Sequence, residues 1–315
     1  MKLQIVKENP RLGLAARGRA LNLTGSSETV RKNSSLSSLS VHCPQHSRPG
    51  TDKEFGYYLA GLIEGGGGAI IINGQASLSI CFHQKHISTV YYIKTRLGFG
   101  EVRRGQQKNK KILIVKNRRG LLKVVDLVNG KFRTKKKIES LQKLIDYLRD
   151  KKIKYKETRA RALKGRPLNL LKIQVLPRGP SGALPKDGSS VLINHWLAGV
   201  LDAGGCFQVN RRRRRVLQFK VIQTPEVLNL LRTVWGGSVA KSPQGKTYYY
   251  QASGVSVFRA IKYLDRYHVL SKWLEYRQWR RVCLLVQGGL HKTEEGVEKI
   301  KRIKKTMEKM RQSEH

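Results

Sequence analysis

The sequence predicts an α+β fold in which a unit of order α-β-β-α-β-β-α occurs twice in tandem, with pseudo-two-fold symmetry. Three observations support this prediction. Residues 57–68 read YYLAGLIEGGGG and residues 195–206 read HWLAGVLDAGGC, with Leu59 aligned to Leu197. Strand-like and helix-like patterns then follow both segments in the same order. Residues 164–190, rich in Gly and Pro, separate the two copies and are interpreted as a linker.

The first repeat is predicted to cover residues 52–163. Its motif segment precedes a strand pair (AIII and ASLSICFH), an amphipathic helix (ISTVYYIKTRLG) and a second strand pair (GEVRR and KILIVKN). Helical patterns, RGLLKVVDLV and KIESLQKLIDYLR, complete this repeat. The strand AIIIN is apolar on both faces, so it yields no prediction of which side chains face a ligand.

The second repeat is predicted to cover residues 191–290. A strand pair (CFQVN and VLQFKVIQ) precedes a helix, PEVLNLLRTVWG, whose first-turn Pro225 supports the predicted start. The strands GSVAK and KTYYYQA and the helix VSVFRAIKYLDRY follow. The strands of each repeat are predicted to form an antiparallel sheet.

Small side chains recur at three- and four-residue spacing in both motif segments. They are Ala60, Gly61 and Gly65 in the first copy and Ala198, Gly199 and Ala203 in the second. Such a pattern lets two helix backbones approach closely, although a helix that packs on a sheet can also show it. Because it occurs in both repeats, the two halves are predicted to meet through paired motif helices.

The chain ends have a different composition. Residues 1–51 are rich in Ser, Arg and Lys and are predicted to form a disordered basic tail, with the composition of an organellar transit segment. A poorly structured leader read from flanking sequence would look the same. Residues 291–315 are predicted to form a basic C-terminal helix, either a surface helix or an extension that contacts nucleic acid.

The charge indicates a polyanionic partner. The chain has 63 Lys and Arg against 21 Asp and Glu, for a net charge of +42. Nucleic acid is favoured over an anionic membrane because the basic residues are spread along the chain and no apolar run reaches the roughly 18 residues of a spanning helix. No membrane partner is expected. The four cysteines form no C-x-x-C pair, so we expect small buried side chains in a reducing compartment rather than a zinc site.

The segments LAGLIEGGG (59–67) and LAGVLDAGG (197–205) resemble the paired motifs of single-chain LAGLIDADG homing endonucleases. The resemblance extends over roughly residues 52–290. It implies that saddle-shaped sheets lie along the major groove of a double-stranded DNA target. It also implies that the last acid of each motif binds Mg²⁺ beside the scissile phosphates. It further implies an intron-encoded monomer of a mitochondrion or chloroplast, with no obligate protein partner.

The family acids fall at Gly66 and Gly204, so both metal ligands are absent from this sequence. Glycine offers no side-chain oxygen to Mg²⁺, and the chain is therefore predicted to bind DNA without cutting it. Glu64 and Asp202 remain two positions earlier, about 200° away around a helix. We expect them to hold helix ends rather than metal. The paired change indicates deliberate inactivation or a natural copy retained for RNA binding.

A basic residue near the metal site of each half is also implied by the resemblance. Lys137 and Lys272 match this pattern. In the first half, Lys135 or Lys136 could occupy the matching position instead, because they directly precede Lys137. Each lysine either stabilises phosphate charge or is a solvated residue at a helix start.

Alternation along the strands predicts the side chains that contact nucleic acid. In the second half, Phe207, Val209, Leu217 and Phe219 fall on one face and polar side chains on the other. Five consecutive arginines, 211–215, connect the strands at a hairpin tip, which is either a phosphate contact or a solvated turn. The predicted nucleic-acid contacts are Arg103, Arg104, Lys108, Lys110, Gln208, Asn210, Arg212, Arg213, Gln218 and Lys220.

Three functions are compatible with these sequence features. The first is a cleavage-dead scaffold that binds DNA in a sequence-specific way. The second is an RNA-binding maturase for a group I intron, and the third is a basic structural protein such as a ribosomal component. Alternating Gln, Asn and Arg favour the first because A-form RNA hides its major groove. The paired motifs argue against the third.

Overall fold

The structure, a computed structural model, describes residues 39–107, 109–154, 187–210, 217–242, 245 and 247–312. The first half has four α-helices and four strands within these residues: α1 (Asp52–Leu62), β1 (Gly68–Asn73), β2 (Gln75–His83), α2 (Ile87–Leu97), β3 (Glu101–Arg104), β4 (Lys110–Val115), α3 (Arg118–Val128) and α4 (Lys135–Lys154).

The second half repeats this order. Its elements are α5 (Trp196–Gly204), β5 (Gly205–Val209), β6 (Leu217–Gln223), α6 (Pro225–Trp235), β7 (Ser238–Lys241), β8 (Tyr248–Ala252), α7 (Val255–Leu264) and α8 (Trp273–Gln287). The tandem α-β-β-α-β-β-α prediction is confirmed, with one further helix, α4 or α8, at the end of each half.

Each half forms a four-stranded antiparallel sheet. The strand orders are β1-β2-β4-β3 and β5-β6-β8-β7, so the two sheets have the same topology. Buried side chains such as Leu78, Ile80, Phe219 and Val221 alternate with more exposed neighbours along the inner strands. One face of each sheet therefore packs on helices, and the other, called the open face below, is exposed.

Local sequence signals account for the helix starts. Thr51 and Glu54 form a reciprocal capping box at the beginning of α1. Pro225 occupies the first turn of α6, where its missing N–H costs no helical hydrogen bond. No helix within the described residues has both the length and the apolar character needed to cross a bilayer.

The prediction of a disordered tail up to residue 51 is wrong for its last residues. Leu39 is buried, and its backbone N–H donates to the side chain of Gln287 on α8 at 3.0 Å. The Arg280 guanidinium donates to the carbonyls of Ser40 and His42. The segment 39–47 therefore lies against the second half, and residues 48–50 contact α2 of the first half before the chain enters α1. Residues 1–38 of the predicted tail, and 164–186 of the predicted linker, lie outside the described residues.

The C-terminal helix α9 (Glu294–Gln312) agrees with the predicted basic helix. Ile300, Ile303 and Met307 are buried on its inner side. Arg311 donates to the carbonyl of Phe207 on β5, an edge strand, and pairs with Glu275 of α8. The helix therefore covers part of an exposed sheet edge. Several of its outward lysines pair with glutamates of the same helix, which is typical of a solvated surface.

The four cysteines only partly follow expectation. Cys283 is buried, as expected for a small apolar side chain, and Cys206 is half-buried. Cys43 and Cys81 are exposed. Cys81 lies on the open face of the first sheet, where strand alternation rather than hydrophobicity decides its orientation.

Candidate active site

The motif helices α1 and α5 touch through their backbones. A Cβ atom added to Gly61 would lie 1.9 Å from the carbonyl oxygen of Trp196, and one added to Gly199 would lie 2.1 Å from that of Tyr58. Any side chain at either position would force the helices apart. The predicted central packing of the motif helices is confirmed, and it brings their C-terminal ends together.

The two motif helices end differently. After α1 the chain makes a π-type turn over Ile63–Gly67 that is interrupted by the non-helical backbone of Gly66, whereas α5 continues to Gly204 and passes directly into β5. The first motif thus contains one residue more before its strand begins, and a π-turn is the usual way for a helix to absorb a single insertion. Gly66 within this turn has a φ of 84°, a conformation that glycine adopts without strain.

Gln223, the last residue of β6, fills the space between the two glycines that replace the family acids. A Cβ atom on Gly66 would lie 3.0 Å from Nε2 of Gln223, and one on Gly204 would lie 3.1 Å from the same atom. Nε2 itself donates to the carbonyl of Gly65. A carboxamide therefore stands where the resemblance implies two carboxylates. Sequence reasoning did not single out Gln223, because only the packing of β6 against the motif ends places it there.

Glu64 is buried and holds the beginning of α4. Its carboxylate accepts hydrogen bonds from the backbone N–H groups of Arg133 and Thr134, from the Thr134 hydroxyl and from the Trp196 indole. Burial raises the pKa of this carboxyl above its ordinary value, while these donors oppose the shift.

Asp202 has the same role in the second half. Its carboxylate accepts from the backbone N–H groups of Leu270, Ser271 and Lys272, directly before α8. The hydroxyls of Ser271 and Tyr58 also donate to it. These contacts agree with the interpretation that Glu64 and Asp202 hold helix ends and are not oriented toward a metal.

The two lysines that match the basic positions of the family, Lys137 and Lys272, lie at equivalent places in the two halves. Lys137 donates to the carbonyl of Gly68 at 2.7 Å, and Lys272 donates to that of Gly205 at 2.7 Å. Lys272 also reaches the carbonyl of Leu201. Burial lowers the pKa of both ammonium groups. Lys135 and Lys136 are exposed, so only Lys137 of its triplet reaches the end of a motif helix.

The residues at this centre do not fit a Mg²⁺ ion. Magnesium prefers carboxylate oxygens in octahedral geometry, and the groups that converge here are a carboxamide, two ammonium groups and peptide carbonyls that already accept hydrogen bonds. Nowhere in the described ranges do three His, Cys, Asp or Glu side chains gather in a way that could hold a metal ion.

The predicted nucleic-acid contacts of the first half divide between the two faces of the sheet. Strand pairing places Arg103 beside Ile112 and Lys110 beside His83, on the open face. Arg104 pairs with Lys111, which pairs with the buried Phe82, so alternation directs Arg104 to the opposite face. Strand alternation within EVRR could have revealed this difference. Lys108 lies outside the described residues.

In the second half, Gln208 and Lys220 lie on the open face, with Asn210 directly after β5. Gln218 is only 3 % exposed, and its Oε1 accepts from Nδ2 of Asn210 at 2.7 Å. Gln218 therefore orients Asn210 instead of presenting its own amide to a ligand. Arg212 and Arg213 lie outside the described residues. Tyr249 and Gln251, on the same open face, were missed, although alternation in YYYQA would have indicated them.

No protein-family model matches the chain. The chain is 33% identical to an uncharacterized cox1 intron-2 37.2 kDa protein of Schizosaccharomyces pombe, over 95% of this chain and 86% of the relative. It is 23% identical to a probable intron-encoded endonuclease 4 of Neurospora crassa, over 81% of this chain and 44% of the relative. The identity is 21% to the intron-encoded DNA endonuclease aI3 of Saccharomyces cerevisiae, over 75% of this chain and 64% of that protein.

Solved structures share the fold. The LAGLIDADG meganuclease I-AabMI bound to uncleaved DNA superposes with a TM-score of 0.58 and 22% identity, covering 79% of this chain and 98% of that chain. I-SmaMI bound to an uncleaved DNA target with calcium ions gives a TM-score of 0.54 and 18% identity, covering 80% and 98%. The paired motifs, the repeated topology and these relatives lead to one conclusion: the chain belongs to the single-chain, two-motif LAGLIDADG homing endonuclease family.

Proposed function

We propose that this protein binds a long, asymmetric DNA duplex through the open faces of its two sheets and does not cleave it. The observation that supports the loss of cleavage is the Gln223 amide, which lies between Gly66 and Gly204. The DNA partner is supported by the net charge of +42 and by the DNA-bound structures of proteins with the same fold.

The chemistry at the motif ends favours binding over hydrolysis. A phosphate held there would face a neutral carboxamide and peptide groups, with the ammonium groups of Lys137 and Lys272 tied to backbone carbonyls. Among the described residues, the two motif carboxylates, Glu64 and Asp202, are held by the donors at the starts of α4 and α8 and are not placed to take a proton from water or to hold a cation beside the phosphate. Divalent-metal cleavage is accordingly assigned to family members that retain both acids, and this copy is expected to have lost it.

One chain suffices for one target. Both halves lie in a single polypeptide and carry different side chains on their open faces, so the target needs no two-fold symmetry. The likeness to a cox1 intron protein favours a mitochondrial over a chloroplast location.

A binding and cleavage assay tests this function. The purified chain is mixed with a long duplex that carries the insertion site of its intron, and with the intron RNA, at matched salt. We expect tight duplex binding, one chain per duplex in analytical ultracentrifugation, and intact DNA after incubation with Mg²⁺. Two chains per duplex, or cut DNA, would contradict the proposal.

A maturase function is the second candidate, and one observation favours it. A cavity of about 490 Å³ lies where α1 and α5 begin, at the opposite end of these helices from Gly66 and Gly204. Arg48, Lys53 and Arg266 line it, so a basic surface exists away from the sheets. Tighter binding of the intron RNA than of the duplex, lost on neutralising these three residues, would establish RNA as the working partner.

A further inference from the structure

The open faces of the two sheets differ in chemistry at matched positions. Lys137 and Lys272 contact Gly68 and Gly205, which makes these two glycines equivalent. Gly68 pairs with Ile80, and Gly205 pairs with Val221. The strand registers can therefore be compared position by position, starting from these pairs.

The second sheet presents polar side chains at the middle of its open face. Lys220 pairs with Gln251 across β6 and β8. Tyr249 pairs with Ile222 one row further, and the Lys220 ammonium lies 5.2 Å from the centroid of the Tyr249 ring. An ammonium and a carboxamide side by side can donate to guanine or read adenine in the major groove.

The first sheet has small or apolar residues at the same places. Ser79 stands where the second sheet has Lys220, and Ile114 where it has Gln251. Ile112 replaces Tyr249, and Cys81 replaces Ile222. Serine bonds to any base and isoleucine contacts only methyl groups, so these matched positions distinguish base pairs poorly. The exposed carboxamide of Gln75 lies on the same face, at the tip of the β1–β2 hairpin.

The charges of the first half lie at the border of its open face. Arg103 on the edge strand β3 is bound to Glu101 of the same strand at 2.7 Å. Lys110 lies at the start of β4, beside His83 at the end of β2. Side chains at these places suit phosphate contacts, which fix the position of a duplex without reading its sequence.

We propose that the two halves divide the recognition of DNA: the second half reads base sequence, chiefly through Lys220 and Gln251, and the first half holds the duplex with little sequence preference. The inference rests on the DNA-binding function proposed above and adds its specificity. The target would then tolerate base changes on one side and resist them on the other.

Reciprocal exchange of the matched residues tests the division. The parent chain selects from a random duplex library, and the same selection is repeated with the double variants K220S/Q251I and S79K/I114Q. We expect the parent to enrich a consensus confined to one side of the site. K220S/Q251I should reduce discrimination against changed base pairs there by roughly 10- to 100-fold. S79K/I114Q should create a new preference on the other side.

The control variant is K241S. Lys241 is an exposed lysine on β7 of the same sheet, and alternation places it on the opposite face from Lys220. K241S removes one positive charge, as K220S/Q251I does. A consensus that is retained in K241S and lost in K220S/Q251I therefore shows that base reading, and not charge alone, determines the sequence preference. Circular dichroism and melting temperature confirm that each variant is folded.

Equal sequence preference on both sides in the parent would overturn the division, and so would an unchanged consensus in K220S/Q251I. Selection of no consensus at all, with duplex binding intact, would show that the second half does not read sequence. Failure of the parent to bind any duplex would instead overturn the DNA-binding function itself.

Discussion

The side-chain amide of Gln223 donates to the backbone carbonyl of Gly65 and thereby joins the second sheet to the end of the first motif helix. The contact crosses from one half of the chain to the other. It places a neutral hydrogen-bond donor between Gly66 and Gly204, where the family implies two metal-binding acids.

Restoring both acids is expected to restore metal binding. The chain as it stands should leave its DNA target intact in Mg²⁺, and Gly66→Asp with Gly204→Asp should create double-strand cleavage, with at most nicking from either single change. Gly66 has a positive φ, so the new aspartate there should cost about 1–2 kcal/mol of stability. Plasmid cleavage measures the activity, and calorimetry measures Mg²⁺ binding.

Adding Gln223→Ala to the double restoration removes the amide that lies about 3 Å from both new Cβ positions. The cleavage and the Mg²⁺ binding of this triple variant are measured in the same two assays. Cleavage by the unchanged chain at the rate of the double restoration would contradict the assignment of the two glycines.

Removing the Asp202 carboxylate is expected to destabilise the fold. Asp202→Ala leaves three backbone N–H groups before α8 and the buried Tyr58 hydroxyl without their acceptor. The loss should be about 3 kcal/mol in the free energy of unfolding, measured by urea denaturation. Asp146→Ala, which removes an exposed carboxylate from α4, is the matched control and should change little. Equal effects of the two substitutions would argue against the structural role of Asp202.

Stability is expected to fall as the pH falls below 6.5, in part through His86. Burial, followed by the charges of Lys85 and Lys272, lowers the pKa of His86 to about 3. When the pKa of a histidine is lower in the folded state than in the unfolded chain, its contribution to stability is fully present at a pH above the pKa of the unfolded chain. That contribution is lost progressively as the pH falls from about 6.5 towards 3, by at most about 1.4 kcal/mol per pH unit.

The measurement is urea unfolding between pH 7 and pH 5 for the parent and for His86→Gln. The variant should show a shallower decline than the parent, with the remaining slope due to groups such as His46, whose pKa burial also lowers. Identical slopes in the two proteins would show that His86 does not carry the effect.

Duplex binding is expected to weaken steeply with salt. With roughly 6–10 phosphate contacts, affinity should fall about 10³- to 10⁵-fold between about 50 and 200 mM salt. Fluorescence anisotropy at several salt concentrations measures the slope. K220S/Q251I should lower this slope by no more than about one phosphate contact. A nearly flat titration would mean that the net charge of +42 does not act on phosphates.

Much of the fold could be predicted because its signals are local. Alternation in CFQVN and VLQFKVIQ placed Phe207, Val209, Leu217 and Phe219 on one face of the sheet, and the structure has all four in the core. The expected role of Glu64 and Asp202 in holding helix ends agrees with their contacts. Each lies two residues before the position of the family acid, which is about 200° around a helix, so its side chain points away from the position of that acid. Gln218 shows the limit of alternation, since it is polar and on the correct face but buried against Asn210.

The sequence by itself determined the two-fold repeat, the helix contact through Gly61 and Gly199, and the absence of an acid at Gly66 and Gly204, since these depend on residue type and spacing alone. Only the tertiary structure decided that Gln223 fills the centre. It also decided that Leu39 packs beside Gln287 and that the sheets present different chemistry at matched positions. These contacts join residues far apart in the chain, and their partners are selected by the packing of whole helices and sheets, which no local pattern encodes.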